Sequence, residues 1–282
     1  MYYALRNPRY VARQALLYLA VFLILFIILF PFYWLIISSV KTKPELYAAN
    51  QTLFPRVFTL ESYRELLTLS PFLRYYLNSV LISLGTVLVT LALSITAAYS
   101  IGRLQFPGRQ VIARLIVAAY LFPGILLLIP TYLLITRVHL NDSLLSLVIA
   151  YTTTLAPYST WLLKAYFANI PKELEEAAMV DGASRLRSIW SIVLPLARPG
   201  IVTTAIYIFI MSWSEYMFAV VMITSDAKKT IPLGLASWMA QYHIEWGVMT
   251  AGAVLTAIPV LVFFVAIGRA FVSGLLGGAM KG

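Results

Sequence analysis

Glu215 is the one acid in an otherwise uncharged run between Arg198 and Asp226, and Ser212, Trp213, Ser214 and Tyr216 surround it. Hydroxyls, a carboxylate and aromatic faces together suit a polar, uncharged solute such as a sugar. They supply hydrogen-bond partners and a platform for its apolar C–H face. An acid at the centre of an apolar helix costs about 2.5–3.5 kcal/mol, so it is expected to face protein or water. It can meet a solute, gate a passage or bond to a neighbouring helix, and the residue types leave all three open. Tyr151 with Thr152, Thr153 and Thr154, and Tyr120 with Pro123, are weaker members of the same polar set.

Other chemistry is scarce. There is no cysteine, so thiolate metal sites and cysteine nucleophiles are excluded. His139 and His243 stand apart, without carboxylates at ligand spacing. No G-x-x-x-x-G-K-[ST] occurs, so the chain has no phosphate cradle of its own for a nucleotide. A membrane enzyme would need converging acids, a metal cluster or a Ser/His arrangement. An ion-driven carrier would need several ionisable groups at mid-membrane and repeat symmetry, and only Glu215 qualifies.

The elements that position these residues follow from composition. Of the 282 residues 61% are hydrophobic and 11% charged, against roughly 25% charged in soluble domains. Six runs cross between charged residues: Arg13 to Lys41, Arg74 to Arg103, Arg114 to Arg137, Asp142 to Lys164, Arg198 to Asp226 and Glu245 to Arg269. Each reaches the roughly 20 residues that span a hydrocarbon core, and backbone groups in lipid must bond within their own segment. The sequence therefore predicts an all-α membrane protein with six transmembrane helices. The first run is too long for a secretory signal and reads as a retained anchor.

With six spans both termini lie on one side. If that side is the cytoplasm, thirteen Lys and Arg against four acids face inward, and eight cations against six acids face outward. The bias predicts cytoplasmic termini. The net charge of +10 is thus mainly a topology signal, and no basic soluble face for nucleic acid is expected.

The second informative stretch, residues 169–199 between spans four and five, is predicted to form a cytoplasmic helical hairpin. Pro171 suits a first helical turn, and Glu173, Glu175 and Glu176 favour the positive end of a helix dipole. Leu174, Ala177 and Ala178 share a small-residue face that another surface can approach. Gly182 after Asp181 marks a left-handed stop. A second helix is expected to align Leu186, Ile189, Trp190 and Val193 on one face before Pro195 closes it.

Glu176-Ala177-Ala178, three residues, Gly182, nine residues, then Ile192-x-Leu194-Pro195 resembles the EAA motif of binding-protein-dependent ABC importer permeases. Leu77-Asn78-Ser79, Ala97-Ala98-Tyr99 leading into Gly102-Arg103, Leu140-Asn141-Asp142-Ser143, Ile231-Pro232-Leu233-Gly234-Leu235 and the tail from Gly274 to Gly282 resemble the maltose-type carbohydrate branch. The resemblance implies a type I importer permease fold (MetI/MalG-like), one domain over 1–282, in a prokaryotic cell inner membrane. It implies that Glu175, Glu176, Ala177, Ala178, Asp181, Gly182, Ile192, Leu194 and Pro195 couple the chain to an ATPase, and that a tail with Gly278 and Lys281 reaches between ATPases. The implied partners are a second homologous permease, two ATPase subunits carrying ATP and Mg, and an extracytoplasmic sugar-binding protein. The chain itself would hold no cofactor. Where many sugar permeases carry Trp-Asn in span five, this chain has Trp213-Ser214, so the solute stays open between sugars and, for instance, glycerol-3-phosphate.

Overall fold

The structure is a computed structural model that describes residues 8–241 and 245–279. Among the described residues it is helical and contains no strand. The chain divides into two compact units.

The first unit comprises residues 1–70 and 241–257. Its long helix α1 (Pro8–Ser39) is followed by α2 (Lys43–Leu46) and α3 (Glu61–Leu69). Thr59 starts α3 by accepting from the Glu61 N–H at 3.1 Å, which spares one of the donors a helix start leaves free. Lys43 pairs with Glu65 at 3.1 Å and Glu245 at 3.4 Å. Hydrogen bonding to Glu65 is the largest of the causes that push its ammonium above the ordinary lysine range.

The second unit comprises residues 71–240 and 258–282. It contains α4 (Phe72–Arg103), α5 (Arg109–Leu121), a 3-10 turn (Gly124–Leu127), α6 (Leu128–Arg137) and α7 (Leu144–Ala168). Next come α8 (Lys172–Val180), α9 (Arg185–Ser188), a π-helical segment (Ile189–Val193) and α10 (Leu194–Leu196). Then follow α11 (Arg198–Trp213), α12 (Met217–Met222), α13 (Ile231–Gln241) and α14 (Trp246–Ala279), whose start belongs to the first unit.

The pairing of α4 with α7 organises this unit. Ser79, Ser83, Thr86, Thr90, Ser94 and Ala98 repeat every three or four residues along α4, and all are buried. Small residues at that spacing let two helix backbones approach closely in an apolar medium. The Thr90 and Thr152 hydroxyls meet at 3.1 Å, and Ser94 donates to the Ala156 carbonyl at 3.3 Å. Close contact recurs at the start of α11, where a Cβ on Gly200 would lie 2.3 Å from the Tyr166 ring. Gly200→Ala is expected to cost about 1–3 kcal/mol through overpacking. A lowered thermal midpoint of the purified protein, with helix content kept, checks it.

Three helices among the described residues are long and apolar enough to cross a membrane: Ala12–Ser39, Phe72–Arg103 and Trp246–Val265. Two bent pairs bring the number to five, Arg109–Leu121 with Gly124–Arg137 at 99° and Arg185–Leu196 with Arg198–Trp213 at 76°. The third expected span is therefore broken and not one continuous helix. Pro123 cannot donate a backbone hydrogen bond and disfavours helix at Phe122, and the chain breaks there. The expected fourth span is α7, whose threonines, serines and tyrosines lower its hydropathy. It packs against α4, α5, α11 and α12, which tolerate side chains that lipid would not.

Candidate functional site

The hairpin of residues 169–199 begins as expected. Pro171 precedes α8, and Glu173 and Glu175 lie in its first turn. Its stop is a Schellman arrangement: Gly182 has φ +88°, its N–H donates to the Met179 carbonyl at 3.1 Å, and the Ala183 N–H donates to Ala178 at 2.9 Å. Ser184, whose capping role was not anticipated, accepts from the Arg187 N–H at 3.3 Å and starts α9.

The second arm departs from expectation. Instead of one α-helix, the chain widens into the π-helical Ile189–Val193 just before Pro195. Proline lacks the N–H that would bond four residues back and its ring collides with that carbonyl, and a wider turn relieves both. The expected common face is split: Val193 is buried and Ile189 half-buried, while Leu186 and Trp190 are exposed.

A buried polar cluster mounts the hairpin. Glu175 is only 6% exposed. One carboxylate oxygen lies 3.1 Å from Arg103 Nε, and the other accepts from the Tyr99 hydroxyl at 2.9 Å. Arg103 Nη2 also donates to the Phe167 and Ile170 carbonyls, each at 2.6 Å. These carbonyls belong to the end of α7 and the residues after it, where helical partners run out and a cation is favoured. One guanidinium thus joins the ends of α4 and α7 to α8. Around it, Ala98, Leu163, Phe167, Ile170, Val193 and Ala197 form an apolar cluster.

Glu175 therefore points into the protein, unlike its neighbours in the motif. Glu176, Ala177, Asp181 and Gly182 are exposed and Ala178 is half-buried. Leu174 lies open beside them, and Val180 is 87% exposed. Ile192 and Leu194 are half-buried and Pro195 is exposed. The outcome is an open surface of small and apolar side chains with acids at its rim, on a rigid base.

At the opposite end of α4, three motifs noted separately in the sequence converge on the loop before α13. Asn78 Nδ2 donates to the Ala227 and Lys229 carbonyls at 3.0 and 2.9 Å, Ser79 Oγ accepts from the Ile231 N–H at 2.9 Å, and Tyr75 donates to Asp226 at 2.9 Å. The Asp142 carboxylate accepts from the Thr224 and Ser225 N–H groups at 3.0 and 2.9 Å, from the Ser225 hydroxyl, and from Lys228.

Those bonds, from Ser225 above all, hold the Asp142 carboxyl well below the ordinary carboxylate range. A lowered folded-state value contributes stability that is complete above the unfolded value of about 4 and is lost as pH falls toward the lower folded one. Asp142→Ala is expected to cost about 1–2 kcal/mol at neutral pH. Its deficit in thermal stability relative to the parent should hold constant from pH 8 to 5 and shrink below pH 4, as a pH series of melting curves would register.

Glu215 lies in the break between α11 and α12. Its carboxylate accepts from the Phe218 and Ala219 N–H groups at 2.9 and 3.3 Å, capping the start of α12, where free donors and the helix dipole favour an anion. The buried Tyr151 ring packs edge-on against Phe218 with centroids 6.5 Å apart. Its hydroxyl has the Glu215 carboxylate as its charged neighbour. Ser212 bonds its own helix backbone, and Trp213 is buried against Phe209 and Tyr76. Tyr216 is exposed. Tyr120 is not in this group: it packs on Tyr158, centroids 5.0 Å apart. Gly278 falls in the last turns of α14, and Lys281 and His243 lie outside the described residues.

Long apolar helices, a core pair joined through small residues and a hairpin mounted on buried charge are the build of a polytopic membrane protein. Residues 91–275 match the family described as binding-protein-dependent transport system inner membrane component. The inner membrane ABC transporter permease protein YcjP of Escherichia coli is 37% identical over 94% of each chain. The trehalose/maltose transport system permease protein MalG of Thermococcus litoralis is 34% identical over 96% of this chain and 98% of its own. A solved bacterial ABC transporter involved in import of the acidic polysaccharide alginate superposes with a TM-score of 0.80, at 22% identity, over 94% of this chain and 98% of that one, a likeness of fold. The chain belongs to the binding-protein-dependent transport permease family.

Proposed function

We propose that this chain is the permease subunit of an ATP-driven importer that carries a mono-, di- or oligosaccharide inward across the cell inner membrane. The observation that carries the reading is the hairpin: its open Glu176–Gly182 surface sits on the Glu175–Arg103 pair, a shape fit to receive force and pass it to α4 and α7. The Thermococcus relative, a trehalose/maltose permease over nearly its whole length, supports a sugar as the solute. The EAA hairpin, residues 169–199, lies in the cytoplasm and docks on a separate ATPase that binds ATP and Mg.

In this reading one domain spans the membrane six times with both termini inside. The three straight helices, α5 with α6, α7, and α11 with α12 are the spans. The charge bias orients them. The importer is completed by a second homologous permease, two ATPase subunits and an extracytoplasmic sugar-binding protein. Ser212, Trp213, Glu215, Tyr216, Tyr151 and Tyr120 are proposed for the solute route, Glu215 also shaping it through the break it caps.

Affinity purification of the tagged chain from its native membrane tests this. An ATPase and a second multi-span permease are expected in the complex, and cells are expected to take up radiolabelled sugar only with the chain present. Purification of the chain with neither partner, or unchanged sugar uptake on its deletion, contradicts the reading.

A further inference from the structure

We propose that Tyr158 and Tyr207, with Tyr120 and Trp161 beside them, form an aromatic sugar platform deeper along the route than Glu215. The proposal rests on the sugar reading above and adds a site to it. Tyr158 follows Tyr151 by seven residues on α7, so the two occupy the same helix face. The Tyr158 ring lies 4.4 Å from Tyr207, 5.0 Å from Tyr120 and 6.1 Å from Trp161, centroid to centroid. Three separate helices, α5, α7 and α11, supply the rings.

The cluster is not a closed core. Tyr158 and Tyr207 are half-buried, and Tyr120 and Trp161 are 45% and 47% exposed. Its two central rings are also not placed as an interfacial belt. Tyr158 and Tyr207 each lie more than a helical turn inside the ends of α7 and α11, whereas belt aromatics sit at the boundary with water.

The hydroxyls decide what faces it. Along α7 and α11, Thr153, Thr154, Thr203, Thr204, Ser212 and Ser214 turn back to bond backbone carbonyls, as short side chains in apolar helices do. A phenol is too long and rigid for that. The Tyr207 hydroxyl has those of Tyr120 and Tyr158 as its electrostatic neighbours, and none of the three has a hydrogen-bond partner among the described residues. Lipid is a poor environment for such a group, because tyrosine hydroxyls removed from water usually find partners. Water and a polyhydroxylated solute supply them. A pyranose matches the arrangement, laying its C–H face on the rings and its hydroxyls on the converging phenols, in the manner of sites that combine apolar walls with a few placed polar groups.

The complete importer, reconstituted with its ATPase, partner permease and binding protein, provides the test, with radiolabelled glucose, maltose and trehalose as probes. For a sugar that the parent takes up, Tyr158→Leu and Tyr207→Leu are expected to lower uptake at subsaturating concentration roughly tenfold. Tyr158→Trp, which keeps the platform, is expected to stay within about twofold of the parent. Subunit composition and binding-protein-stimulated ATP hydrolysis are expected to be unchanged throughout. Leucine variants that import like the parent overturn the platform and leave the sugar reading standing. Leucine variants that shed the second permease also overturn it, since the rings would then be a subunit contact. A parent importer that takes up neither these three nor any other sugar of a mono-, di- and oligosaccharide panel contradicts both readings.

Discussion

Arg103→Ala and Glu175→Ala, made singly, are expected to abolish transport and to free the ATPase from the purified importer, whereas the double replacement by leucine restores much of the assembly. Each single change strands a buried charge, which costs about 3–5 kcal/mol, while exchanging a whole buried pair for apolar groups is often near neutral. Arg103→Ala should be the more damaging, because it also leaves the Phe167 and Ile170 carbonyls without their donor. Arg103→Lys should rescue little, since an ammonium cannot hold a carboxylate and two carbonyls in the geometry of a guanidinium. Pull-down of the ATPase on the tagged permease, followed by uptake, reads the series. Single variants that retain both at parent levels would show that the hairpin is held by something other than this pair.

Gly182→Val is expected to leave the importer assembled and hydrolysing ATP while cutting solute uptake several-fold. The residue holds φ +88° with no atom within 4 Å of where a Cβ would stand, so the effect comes from the backbone and not from a clash. A left-handed conformation costs a non-glycine residue about 1–2 kcal/mol, more for a β-branched one, and a chain avoiding it would redirect the exposed end of α8. Gly182→Asn separates strain from size: asparagine tolerates the left-handed region and is expected to keep coupling within about twofold. The number of ATP molecules hydrolysed per solute moved, measured in proteoliposomes, distinguishes the two. Equal coupling in both variants would remove the geometric role assigned to this stop.

What the sequence showed of these parts depended on how far each signal reaches along the chain. The limits of α8 were legible because proline, acids and glycine act on their own or adjacent backbone groups. The π-helical Ile189–Val193 was not, since it arises from a conflict between Pro195 and the backbone four residues earlier, which a 3.6-residue period does not reveal. Glu175 read as a dipole-favoured acid among three, and nothing local distinguished the one that turns inward to Arg103.

The α4–α7 seam was equally hidden. Its serines and threonines look like interruptions in a hydrophobic run until their spacing is set against a second helix. Glu215 stood out as an acid in an apolar run, but the break after Ser214 that gives it two N–H donors was not visible as a helix end. Asn78, Asp142 and the Ile231 segment each matched a motif, while their meeting around one loop is a property of the folded chain alone.

Transport by purified components reconstituted in liposomes tests the central mechanical claim most directly. The two permeases, the ATPases and the binding protein together are predicted to accumulate labelled sugar only with Mg-ATP, and removing the ATPases is predicted to stop accumulation whatever ion gradient is imposed. Sugar accumulation driven by a proton or sodium gradient, with no ATPase present, would contradict the account.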